Sequence, residues 1–208
     1  MKLTWTQSGM PHGFLCDTPI HVVYRLEGCL PVKVVKKISN ELLVQLVILQ
    51  AMTPLPLDQI LKVKEEYFIA YDNLLDAQDQ SKYKLSKIEI AQIVIDSWKT
   101  LVERDVCIVH IVCVMGNHVH VILQKVSGTK DIPVGLVLRQ HKTWTDRLIQ
   151  RELGNTTKTW ARGYFDRYIR PGSFEVVYNY VLENPSKAGL VPRGTDWPHT
   201  WILHSDGI

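Results

Sequence analysis

Apolar positions recur along this chain with two different spacings. Residues 20–26 alternate, with Ile20, Val22, Tyr24 and Leu26 on one face and His21, Val23 and Arg25 on the other. That alternation predicts a strand, closed off by Gly28 and Pro31. Residues 106–114 are apolar on both faces, as an interior strand is. Gly116 and Asn117 form a hairpin signal, and residues 118–124 read as the returning strand. A helical spacing holds over 58–77, where Ile60, Leu61, Val63, Phe68 and Ile69 are set among Lys62, Lys64, Glu65 and Glu66. It holds again over 86–103, with Ile90, Ile93, Val94, Trp98 and Leu101 as the buried stripe and Ser86 with Glu89 as a capping box. Residues 134–153 predict a basic amphipathic helix carrying Arg139, Lys142, Arg147 and Arg151. A final helix spans 173–184, and Pro185 is expected to stop it. Residues 33–53 are ambiguous; within them 41–52 reads as a helix ended at Pro54 and Pro56. Residues 1–19 read as irregular, and the last residues as a tail packed by Trp197 and Trp201. This order predicts an α+β fold, an antiparallel sheet covered by helices, with residues 33–85 as a helical elaboration of one domain over 1–208.

Composition adds little to that picture. Apolar residues are 46% and charged residues 22% of 208, which permits an ordinary core and excludes wholesale disorder. A net charge of +3 is a weak pointer toward an anionic partner. The apolar stretch 42–52 is interrupted by Gln45 and Gln50 and is too short to span a bilayer. Met1, Lys2 and Leu3 begin no signal-peptide run. The expectation is a soluble, cytoplasmic protein with no membrane contact. Cys16, Cys29, Cys107 and Cys113 are then expected to be free thiols, their spacing being too loose for a zinc site.

Two short segments carry candidate chemistry. His118 and His120 lie two apart on a strand, so both imidazoles leave the same face. Side-by-side imidazoles on a rigid strand are a good start for a divalent metal site, though the H-x-H pattern also occurs in unrelated proteins. Tyr180 and Asn184 lie four apart and share a helical face, beside an apolar stripe of Phe174, Val177, Tyr178 and Val181. Tyr178 is expected to be the core aromatic and Tyr180 the site residue. Taken alone, that helix reads more readily as a surface tyrosine and a terminal asparagine.

These segments resemble a known family. The run VCVMGNHVHV at 112–121 is similar to the V-M-P-N-H-V-H box of the HUH transposases. The run YVLENPSKAGLV at 180–191 is similar to their Y-I-x-x-N-P-x-x-A-G-L-V box, and WARGYFDRYIR at 160–170 resembles W-Q-R-x-x-x-D-x-x-I-R. The three boxes fall in the family's order and cover roughly residues 104–201; the strand at 21–25 resembles the family's first strand. Asparagine four after the tyrosine is the form of the REP-associated tyrosine transposases. Gly116 stands where the family has proline.

The resemblance implies an HUH endonuclease fold with a ferredoxin-like core. It implies His118, His120 and Asn184 as metal ligands and Tyr180 as nucleophile. The implied activity is that of a transposase: a single-strand endonuclease that cleaves and rejoins hairpin-bearing DNA through a 5′-phosphotyrosine. The mixed nitrogen and oxygen ligand set suits Mn²⁺ or Mg²⁺. The partner is single-stranded or hairpin DNA, met by a nucleoid-associated monomer or homodimer. Arg139, Lys142, Arg147, Arg162, Arg167 and Arg170 are the candidate backbone contacts, with Trp144, Trp160 and Tyr164 as candidate stacking residues. Two alternatives stand beside this one. The first is a domesticated, non-catalytic hairpin-binding protein. The second is an unrelated H-x-H metal enzyme, which needs an acidic ligand near the strand; neither Asp105 nor Asp131 is well placed to supply it. The elaboration at 33–85 has mixed charges, which favours scaffold or protein contact over a DNA face.

Overall fold

The computed structural model describes residues 3–5 and 11–203; expectations for residues 1–2, 6–10 and 204–208 lie outside the described residues. The strands are β1 (Leu3–Trp5), β2 (Pro11–Leu15), β3 (Ile20–Arg25), β4 (Ile108–Val114), β5 (His118–Gln124), β6 (Ile132–Pro133), β7 (Phe165–Tyr168) and β8 (Thr200–Ile202). The helices are α1 (Val32–Gln50), α2 (Leu57–Asp76), α3 (Ile88–Glu103), α4 (Val134–Glu152) and α5 (Phe174–Lys187). The main sheet is antiparallel, in the order β7-β3-β5-β4-β8. A small second sheet joins β1, β2 and β6. The expected α+β class, an antiparallel sheet covered by helices, is the one observed.

The histidine strand β5 is the middle strand. His120 stands opposite Val23 of β3 on one side and Cys113 of β4 on the other. Paired along both edges, β5 cannot shift register without breaking two ladders. Strand alternation then gives the sheet two different faces. Val22, Tyr24, Val119 and Val121 face α3 and α4, where Tyr24 meets Trp98 and His141. His21, Arg25, His118 and His120 face α2 and α5, through Phe68, Tyr71, Asp72 and Asn184.

The α3/α4 face carries a buried polar chain. Trp98 Nε1–H donates to Tyr24 Oη at 3.0 Å, Tyr24 in turn donates to His141 Nε2 at 2.7 Å, and His141 Nδ1–H donates to Ser97 Oγ at 2.9 Å. Each group has one role, and the imidazole must be neutral to fill its own. Burial, then Lys142, pulls the His141 pKa down to about 3. An unfolded histidine takes up its proton near 6.5, so this residue's contribution to stability is present above that value and is lost as pH falls toward 3. The expected slope is about 1.4 kcal/mol per pH unit in that window. Urea melts of His141→Gln should show a slope shallower by one proton than the parent; identical slopes would mean that His141 is protonated in the fold.

Several sequence expectations change in three dimensions. Residues 11–15, read as irregular, form β2. The ambiguous stretch becomes α1, whose Leu42 and Leu46 pack on Ile60 of α2. Ser86 does not cap α3: its hydroxyl donates to the Gln80 carbonyl at 2.5 Å, and the helix starts at Ile88 without a side-chain cap. Nor does Pro185 stop α5, which runs on to Lys187. Proline's φ is already helical, and here the helix absorbs both the missing N–H bond and the crowding of the Val181 carbonyl. Asn184 is therefore held inside the helix and fully buried.

Candidate metal and tyrosine site

His118 and His120 leave β5 on one face, as their spacing requires, and both are fully buried. Their Nε2 atoms stand 2.9 Å apart. Burial comes first among the causes that pull both pKa values down to about 3, so both rings are neutral. The His118 tautomer follows from its neighbours. Asn117 Nδ2 donates to the Leu75 carbonyl at 3.0 Å, which turns Asn117 Oδ1 toward His118 Nδ1 at 2.5 Å. Oδ1 can only accept, so the proton sits on Nδ1 and Nε2 is a bare lone pair. His120 Nδ1 contacts His21 Nε2 at 3.1 Å. His21 stacks at a tilt on Phe68 of α2, with 4.7 Å between ring centroids.

From α5, Asn184 brings Nδ2 to within 3.2 Å of His120 Nε2. One turn earlier, Tyr180 directs its hydroxyl into the same space and donates a short hydrogen bond to Asp72 Oδ2. Burial, then Asp72, raises the Tyr180 pKa, so the residue is held as the phenol. Tyr178 packs instead with Phe174 in the apolar cluster under α5. The structure thus brings His118, His120, Asn184 and Tyr180 together.

Asp72 is the residue that sequence reasoning missed. It lies on α2, within the 33–85 elaboration, and is only 1% exposed. Its Oδ1 stands 3.4 Å from His120 Nε2 and 3.7 Å from His118 Nε2. Asp76, one turn on, places Oδ1 3.7 Å from His118 Nε2. With the imidazoles neutral these approaches are not ion pairs. Burial is the first cause raising both carboxyl pKa values, Asp76 to about 7. The elaboration thus places a carboxylate beside the histidines, so an acidic group that neither Asp105 nor Asp131 could supply comes from α2. A signal was present: Ile60, Lys64, Phe68 and Asp72 recur every fourth residue, which puts two charges on a stripe that must be buried. Buried charges need partners, and Lys64 finds Asp166 at 3.4 Å.

The donor set fits a cation. Asp72 Oδ1, Asp76 Oδ1 and Asn184 Oδ1 are buried and have no hydrogen-bond partner among the described residues. Ligand atoms of Asp72, His118 and His120 all lie within 4.8 Å of one another. Donors about 2.1 Å from a common ion sit roughly 3.0–3.4 Å apart, close to the spacings here. Apart from the Asn184 amide nitrogen, which meets His120 Nε2, the groups collected here are acceptors and lone pairs, an arrangement that a positive ion relieves.

The basic residues divide between the faces. Arg139, Lys142 and Arg162 line one cleft of about 340 Å³ together with Lys158 and Tyr164. Arg139 and Arg147 line a second, of about 540 Å³, with Arg104 and the exposed Trp144. These clefts flank α4, which covers the opposite face of the sheet from the histidines. Lys142 is turned inward, its Nζ donating to the carbonyls of Ala161 and Gly163 at 3.2 and 2.7 Å. Arg167 and Arg170 both pair with Glu65 of α2, and Arg167 reaches to 5.9 Å from the Tyr180 ring centroid. Trp160 is core and Tyr164 stacks on His12. No helix among the described residues is long and apolar enough to cross a membrane.

Comparison with known proteins separates fold from sequence. No family profile matches the chain and no curated protein resembles it in sequence. A solved structure, that of a REP-associated tyrosine transposase bound to a REP hairpin, superposes with a TM-score of 0.53. The match covers 90% of this chain and 78% of that one at 13% identity. The chain shares that protein's fold.

Proposed function

We propose that this protein is a divalent-metal-dependent endonuclease and strand transferase for single-stranded or hairpin DNA, with Tyr180 as nucleophile and His118, His120 and Asn184 as metal-holding residues. The observation that carries this reading is the convergence of a phenol, two imidazole nitrogens and a buried amide from two elements on one point. The fold shared with a transposase solved on a DNA hairpin supports the choice of substrate class.

The chain's own groups suggest how the reaction runs. Asn117 fixes the His118 proton on Nδ1 and leaves Nε2 available. Tyr180 Oη donates to Asp72 Oδ2, so the phenolic proton has an acceptor in place. A divalent cation held by His118, His120 and Asn184 would polarise the scissile phosphate and favour the phenolate. The phenolic oxygen attacks phosphorus, the bond to the 3′ oxygen breaks, and a 5′-phosphotyrosine and a free 3′-OH result. A second 3′-OH reverses the step and joins strands without external energy. Lys187, exposed and with Nζ 4.6 Å from the Tyr180 ring centroid, is assigned to meeting the phosphate as it approaches. Arg139, Arg147, Arg162 and Arg170, all exposed, are assigned to the DNA backbone. Lys142 and Arg167, half-buried and held by protein partners, are assigned to shaping the surfaces that DNA meets. A cytoplasmic, nucleoid-associated location belongs to this same reading.

The test is a denaturing gel of the protein incubated with labelled hairpin-bearing single-stranded DNA and Mn²⁺. A covalent protein–DNA band that EDTA abolishes is expected. Binding without a band would support the non-catalytic hairpin binder. Cleavage without a band would support a metal hydrolase using water, a reading that the acidic group at Asp72 brings into contention.

A further inference from the structure

We infer that Asp72 is itself a ligand of the cation, so that α2 of the elaboration completes a site of two imidazoles, one amide and one carboxylate; this rests on the metal-dependent reading above. The carboxylate divides its work between its oxygens. Oδ2 accepts the Tyr180 hydroxyl. Oδ1 points at the two Nε2 atoms, at 3.4 and 3.7 Å, and no hydrogen-bond donor reaches it among the described residues. A carboxylate oxygen buried this deeply is costly unless something positive meets it. Arg167 pairs with Glu65 instead, and no lysine or arginine of the described residues bonds Oδ1. A cation that satisfies Oδ1 would sit between it and the imidazole nitrogens, where Asn184 reaches with its amide; the Asn184 oxygen is likewise without a partner among the described residues.

Two consequences follow from the charge count. Two neutral imidazoles and an amide leave a divalent ion with its full charge. Adding one carboxylate leaves a net +1, which holds the ion before DNA arrives and still attracts a phosphate. One carboxylate also joins the ion to the nucleophile, since Tyr180 is bonded to the other oxygen of the same group. Asp76, 21% exposed and farther from His120, is placed at the rim.

The test measures Mn²⁺ binding without DNA, by calorimetry and by the loss of the free-ion electron paramagnetic resonance signal. Asp72→Asn is expected to weaken Mn²⁺ binding by at least about 10-fold, and Asp76→Asn by clearly less. Circular dichroism in EDTA checks that the variants fold. Should Asp72→Asn fail to fold, the wild-type chain labelled with carboxyl-¹³C aspartate answers instead: bound Mn²⁺ should show a ¹³C coupling by electron–nuclear double resonance. Unchanged affinity in Asp72→Asn, or no such coupling in the wild type, overturns this inference and leaves the nuclease reading standing. If the wild type binds no Mn²⁺ and forms no covalent band, both fall. A variant that binds Mn²⁺ normally and forms more covalent product would recast Asp72 as a plug instead of a ligand.

Discussion

Tyr180→Phe should bind hairpin DNA as tightly as the parent protein and form no covalent adduct, a loss of at least ~10⁴-fold in cleavage. Phenylalanine keeps the ring that packs beside His120 and His21 and removes only the oxygen. That oxygen is the proposed nucleophile, so no partial activity is expected from another group. The Asp72 carboxylate loses a hydrogen bond in the variant, which makes a small drop in melting temperature acceptable. Tyr178→Phe is the matched control, because that hydroxyl lies in the cluster with Phe174 and not at the histidines. A band of equal strength from Tyr180→Phe, lost instead in Tyr178→Phe, would move the nucleophile two residues back.

Gly116→Pro, which restores the residue of the resembled family, should destabilise this protein by about 3 kcal/mol. A Cβ built at Gly116 would lie 2.1 Å from the Gln80 carbonyl oxygen and 2.7 Å from Ser86 Oγ. Neither can retreat easily, because that carbonyl accepts from Ser86 and from the Tyr83 amide. The clash would also reach the site. The Gln80 side chain accepts from the Asn117 amide at 3.2 Å and donates to the Leu75 carbonyl at 2.7 Å, the same carbonyl that orients Asn117. Displacing this turn frees Asn117, and with it the tautomer of His118. Weaker Mn²⁺ binding should accompany the lower stability in chemical denaturation. A Gly116→Pro protein as stable as the parent would show that the turn at 80–86 does not press on the hairpin.

The departure at Gly116 thus has a cause in the helical elaboration. From the sequence, glycine there is only a permissive turn residue. In the fold it is the position where the segment after α2 crosses the hairpin with no room for a side chain. Ser86 has a similar history. Its spacing to Glu89 makes a good capping box, yet the Gln80 carbonyl offers its hydroxyl a closer acceptor. Local rules failed at the places where a distant segment supplied a competing partner.

What could be read from the chain alone followed from repeat distances that the backbone imposes. Alternation put His118 and His120 on one face, and the helical turn put Tyr180 and Asn184 on another. Both hold whatever the rest of the molecule does. Asp72 belongs to a different kind of knowledge. It lies 46 residues before His118, on a helix whose sequence shows only that one stripe is buried. Which sheet face that stripe covers, and so which groups its carboxylate meets, depends on packing between elements remote in sequence, and no spacing along the chain encodes it.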